Sequence, residues 1–205
     1  MKRKSVFIIL LIAFTSFSCG PRTESVIESR SDELLEEVFE FNNESFKAFF
    51  DNLTALCGKT FEGRQVYMQP GRESWENKRM IMMVDVCLPN SIHVPFHLDE
   101  DRSRTWMFLN EEGRLRFRHD HRHEDGTPED ITLYGGYADA ERGTPFLQAF
   151  PADEYTLDLL ERGVGSEWVT ELSSDLSVFS YKLYYHGELL FRADFDLTRE
   201  IMVQQ

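Results

Sequence analysis

Three histidines at alternate positions, His119, His121 and His123, stand in the run Arg114-Leu115-Arg116-Phe117-Arg118-His119-Asp120-His121-Arg122-His123-Glu124-Asp125-Gly126. Imidazole is a frequent metal ligand and exchanges hydrogen bonds near neutral pH. In an extended chain alternate side chains share a face, about 6.6 to 6.8 Å apart. Two imidazoles at that spacing can reach one zinc ion at about 2.0 to 2.1 Å, and further ligands must come from elsewhere. His93 and His97, four apart in another extended stretch, would share a face and could complete such a centre. Three readings follow. His119 and His121 could bind zinc or copper with His93 and His97. His119, His121 and His123, with Phe117, could contact a small polar or partly apolar ligand. Or the histidines are partly buried, satisfied by carboxylates, and only hold the strand in place.

Alternation puts Leu115, Phe117, His119, His121 and His123 on one face and Arg114, Arg116, Arg118, Asp120, Arg122 and Glu124 on the other. The charged set is expected to face water, so the histidines continue an inward, apolar face. The arginine stripe is expected to pair with acidic residues on neighbouring strands, with anion binding as the alternative. Glu124 to Asp130 is acidic but lacks calcium-loop spacing, and Asp125-Gly126 reads as a turn. Tyr134-Gly135-Gly136-Tyr137 has no helix after it that would suit a phosphate cradle, and reads as a bulge or strand exit. No serine stands in a nucleophile-elbow context, so no catalytic residue is assigned.

The elements that must position these residues follow from periodicity. Leu34, Leu35, Val38, Phe39, Phe41, Phe46, Phe49, Phe50, Leu53 and Leu56 recur at helical steps. They predict one or two helices, broken near Asn42-Asn43, with Asn43 or Ser45 as a cap and Gly58 as the stop. Beyond Gly58 the period becomes two. Strands are predicted at 60–68, 79–88, 91–98, 104–109, 114–123, 131–134, 146–150, 167–172, 178–185 and 188–197. Helices followed by short strands in meander order predict a mainly β fold, an antiparallel meander barrel of about 8–10 strands, with a sandwich as the alternative. The 17 Phe, 7 Tyr and 3 Trp mostly alternate with polar residues and read as its core.

The stretch Gly58-Lys59-Thr60-Phe61-Glu62-Gly63 opens the first strand directly after a helix, and a terminal hairpin joins Phe179–Tyr185 to Phe191–Leu197. On these features the layout resembles the calycin group, the lipocalin and fatty-acid-binding barrels. The resemblance implies a cup able to hold a small, partly apolar ligand; a structural or interaction lipoprotein with a filled barrel is the alternative.

The N-terminus speaks to location. Lys2, Arg3 and Lys4 precede an apolar run from Val6 to Phe14, and small residues lead to Cys19-Gly20. This is a secretory signal, too short for a spanning helix. The cysteine after Ser16-Phe17-Ser18 resembles a bacterial lipobox, which implies cleavage before Cys19 and a lipid on its thiol; an ordinary signal peptide is the alternative. The predicted organisation is a signal over 1–18, a tether over 19–31, a helical segment over 32–58 and the barrel over 59–205. The protein is then expected in the cell envelope, facing the periplasm or on the outer membrane, held by its lipid. Cys57 and Cys87 remain, and two thiols in an oxidising space predict a disulfide over a zinc or redox pair. The formal charge is -14. Three of the 22 basic residues fall in the signal, leaving 19 against 36 acidic ones, which disfavours nucleic acid as a partner.

Overall fold

The computed structural model describes residues 37–161 and 164–202. The signal, the tether and Cys19 lie outside these residues, as do Leu34 and Leu35. Val38–Gln205 forms one compact unit.

Eleven antiparallel strands form a nearly closed barrel: β1 (Thr60–Met68), β2 (Met80–Met83), β3 (Val86–Leu88), β4 (Ser91–Leu98), β5 (Asp101–Glu111), β6 (Arg114–His121), β7 (Tyr134–Tyr137), β8 (Leu147–Pro151), β9 (Glu167–Leu172), β10 (Val178–Tyr185) and β11 (Glu188–Glu200). Their order is β7-β6-β5-β4-β2-β1-β11-β10-β9-β8, with β3 paired to β4 beside this path. Meander connections thus run both ways from the β1–β11 pair, and β7 and β8 meet at the seam. Three contacts close it. Gly135 O accepts from Asp153 N at 3.0 Å, Ala149 O accepts from Asp139 N at 2.8 Å, and a Cβ on Gly136 would lie 1.8 Å from Pro151 O. The Gly-Gly pair is therefore a closure device inside a strand. The strand expected over 131–134 instead starts at Tyr134, after Leu133 at a φ of 56°, because Gly135 and Gly136 alone permit this approach.

Helix α1 (Glu44–Thr54) starts at Asn43, whose side chain accepts from Ser45 N at 2.8 Å. It buries Phe46, Phe49, Phe50 and Leu53, and packs Phe49 against Phe108 of β5 at 6.0 Å, filling one part of the barrel. The helical expectation fails just upstream, where residues 38–41 form neither helix nor strand. Their backbone is taken by tertiary partners: Phe39 N donates to the Asn90 side chain, Phe39 O accepts from Asn110, and Asn42 N donates to Gly113 O. The strand expected over 79–88 is divided in two. Its register on β4 slips by one residue between Met82↔Phe96 and Val86↔His93, a bulge where Gly58 N donates to Val84 O.

Cys57 and Cys87 form the expected disulfide, with Cα atoms 6.2 Å apart. It ties the turn after α1 to β3. No helix among the described residues is long and apolar enough to cross a membrane.

A second helix, α2 (Glu154–Leu159), was not anticipated. It corrects the expectation that the arginine face is solvated. Thr156 Oγ1 accepts from Gly135 N at 2.7 Å and donates to Gly135 O at 2.8 Å, clamping α2 over the seam. Arg118 is buried beneath it and pairs with the cap residue Asp153 at 2.6 Å. Arg116 shares that carboxylate at 3.0 Å and reaches Glu111 at 2.8 Å, and Arg122 pairs with Asp120 at 2.9 Å. Over these residues the arginine stripe is an ion-pair network.

Candidate functional site

Cross-strand register sorts the inward side chains of β4, β5, β6 and β7 into rows. Ile92, Phe108, Phe117 and Gly136 form one. Val94, Trp106, His119 and Tyr134 form the next, and Phe96, Arg104 and His121 the third. The first row is packed solid: Ile92, Phe108 and Phe117 are all fully buried. The other two line a cavity of about 290 Å³, so the barrel is filled at the α1 end and hollow toward the third row. Trp168 of β9, Tyr181 of β10 and Phe191 of β11 complete the wall. Trp75, from the β1–β2 connection, leans in against Phe191 at 5.1 Å, with Arg72 and Glu73 beside it. All three tryptophans of the chain line this cup.

Its aromatic wall is stacked. Trp106 lies between Phe96 and Tyr181, with centroids 4.8 and 4.7 Å away and planes within 8° and 6°. Such offset pairs add about 0.5 to 1.5 kcal/mol each beyond area burial. The wall is thereby preorganised.

His119 is fully embedded in it. Nδ1 lies 3.2 Å from the Tyr134 carbonyl and Nε2 lies 2.9 Å from the Tyr181 hydroxyl. A carbonyl can only accept, so Nδ1 carries the proton and Nε2 accepts from Tyr181. Burial pushes this imidazole down to about 3, so it is neutral at physiological pH. Both nitrogens are occupied, which leaves His119 a wall residue without a free lone pair. Burial likewise raises Tyr181 well above its ordinary range and pushes Tyr134 up to about 12, so both phenols stay protonated.

His121 is half-buried at the outer row. Nε2 lies 3.1 Å from the Tyr134 hydroxyl and Nδ1 lies 3.7 Å from Glu129. Burial, followed by the nearby Arg104 charge, lowers its affinity for a proton. Nε2 and the Tyr134 hydroxyl thus share one hydrogen bond across the rim of the cup. Arg104, opposite His121 in register, donates through Nη1 to Asp101 and has its Cζ 5.9 Å from the Trp75 ring centroid.

Of the sequence-predicted site residues, the structure brings His119 and His121 to the cup. It does not bring Phe117, which lies in the packed row behind it. It does not bring His123 either: β6 ends at His121, Arg122 bridges to Pro128, and His123 is exposed in the turn with its N donating to Thr127 O. His93 and His97 sit on the outward face of β4, alternating with buried Ile92, Val94, Phe96 and Leu98. Their alternation with those apolar residues was the readable signal for this. The four-histidine arrangement drawn for zinc or copper is thus divided between two faces, and among the described residues no group of three or more His, Cys, Asp or Glu side chains could hold a metal ion. Sequence reasoning missed Arg104, Trp106, Tyr134, Trp168 and Tyr181. Arg104 and Trp106 share the alternation of Phe108 and could have been found by pairing β5 against β6; nothing local marks Trp75.

No family model, curated protein or solved structure matches the chain.

Proposed function

We propose that the protein is a lipid-anchored component of the cell envelope that holds a small, partly apolar molecule in the aromatic cup. The observation that carries this reading is the cavity of about 290 Å³ lined by aromatic side chains inside a barrel whose next row, Ile92, Phe108 and Phe117, is fully buried. Apolar concave sites with a few fixed polar groups are the usual home of small ligands, and this one lies near the small end of their size range. Arg104, His121 and Tyr134 are the polar-ended side chains on the two rows that line it, and the resemblance to calycin barrels points the same way. Cys19 after a basic and apolar leader supports the anchor, and the Cys57–Cys87 bond fits an oxidising compartment.

Native mass spectrometry of the purified protein, tag removed, tests the ligand directly. An excess mass that is lost on denaturation identifies what the cup retains. A bare polypeptide, together with no change in tryptophan emission across a panel of small amphiphiles, would sink the reading. Metabolic labelling with a fatty-acid analogue tests the anchor: Cys19→Ser should abolish incorporation, and incorporation that survives refutes lipidation at that thiol.

A further inference from the structure

We propose that the cup selects amphiphiles carrying a single oxyanion, seated apolar end first with the anionic group on Arg104; this rests on the small-ligand reading above. The argument begins with the distribution of polar capacity along the wall. In the inner row the polar groups are consumed by one another, since His119 uses both nitrogens and Tyr181 donates to it. A ligand's polar end placed there would lose its hydration without gaining partners. Capacity remains in the outer row. Arg104 is a fork of five donors. Nη1 is held by Asp101, while Nε and Nη2 donate to no other described residue. The Arg104 side chain is only about one-quarter exposed, at 24%, whereas that of its partner Asp101 is 41% exposed. A carboxylate entering the cup can therefore take the unused edge of the fork without displacing Asp101.

The sign of the lining agrees. In a chain of formal charge -14, two of the three charged side chains lining the cup among the described residues, Arg72, Arg104 and Glu73, are arginines. His121 stands across from Arg104 in the same row. In the row below them, Trp106 and its stacking partner Tyr181 present the apolar surface that the rest of the ligand would cover. Body and head are thus recognised at different depths, which fixes the orientation.

The test uses the full-length protein and two probes that differ only at the head, phenylbutyrate and phenylbutanol. Because all three tryptophans line the cup, their emission reports both titrations, and a lone phenyl ring does not absorb where indole is selectively excited. A hydrogen-bonded charge pair in a partly desolvated site predicts about 10-fold or greater preference for the acid at low salt. Arg104→Met should remove that preference and leave the alcohol's affinity within about two-fold, while Arg104→Lys, which keeps charge but loses the fork, should retain part of it. An alcohol that binds the wild type as tightly as the acid overturns the assignment and leaves the small-ligand reading standing. So does a preference that survives Arg104→Met. Binding of neither probe overturns both.

Discussion

Acid should destabilise this protein through His119, by an amount the burial of that side chain sets. An unfolded imidazole titrates near 6.5. In the folded wall, burial holds it at about 3. Between those values the unfolded chain binds the extra proton, so stability rises with pH there. The contribution is fully present above about 6.5 and is lost as pH falls toward 3. One pH unit inside that window corresponds to about 1.36 kcal/mol, and integrating from pH 7 to pH 4 gives a loss of about 3 kcal/mol from this one residue. His119→Gln isolates it. The amide keeps a donor for the Tyr134 carbonyl and an acceptor for the Tyr181 hydroxyl, yet cannot protonate. Carboxylates and the remaining histidines titrate in both proteins and largely cancel in the difference. Urea denaturation with the disulfide intact, at pH 7, 6, 5 and 4, gives the two stability curves. At pH 7 the variant should be the less stable, by about 1 to 2 kcal/mol for imperfect packing. The gap should close as pH falls and invert between about pH 6 and pH 5. A wild-type-minus-variant difference that stays constant from pH 7 to 4 would refute both the neutrality of His119 and the hydrogen-bond direction drawn from it.

Three further outcomes test the frame around the cup. Gly136→Ala places a Cβ 1.8 Å from Pro151 O at the seam, and should cost several kcal/mol or prevent soluble expression; a thermal melt within a few degrees of wild type would show that the seam is not the closure described here. Asp153→Ala strips buried Arg118 of its carboxylate and α2 of its cap, and should cost about 3 kcal/mol in chemical denaturation; an unchanged midpoint would mean that water replaces the carboxylate at no cost. Reducing Cys57–Cys87, which spans a separation of 30 residues, should lower stability by about 3 to 4 kcal/mol in the chain-entropy picture while tryptophan emission at neutral pH holds. A loss of the native emission spectrum on reduction alone would instead assign the bond a role in keeping the cup formed.

Several parts of this architecture were legible because they depend on local pattern. Period-two runs bounded by turns located β1, β4, β9 and β10 at their observed limits, since alternation is what a strand between core and solvent imposes. The Phe46, Phe49, Phe50 and Leu53 spacing marked α1 in the same way, and the parity of the cysteines marked their bond. Where local pattern met tertiary partners it lost. Phe39 and Phe41 carry helical spacing, but Asn90, Asn110 and Gly113 claim the backbone around them, and no helix forms there. Arg118 sits on a strand face that alternation assigns to water, and only α2 folding over the seam buries it.

The candidate site divides along the same line. The amino-acid order determined that His119 and His121 face the barrel interior, because they continue the period of Leu115 and Phe117. It also determined that His93 and His97 face the other way, through their alternation with Ile92, Val94, Phe96 and Leu98. What the chain order could not contain is the register between strands. Register alone places Arg104 opposite His121 and Trp106 opposite His119. Barrel closure then brings Trp168 and Tyr181 across from them, and a connection outside any strand delivers Trp75. A cavity is the volume left when all of those surfaces have met, so it belongs to no segment of the sequence. Only the tertiary structure decided that the barrel is filled behind Phe117 and hollow above it.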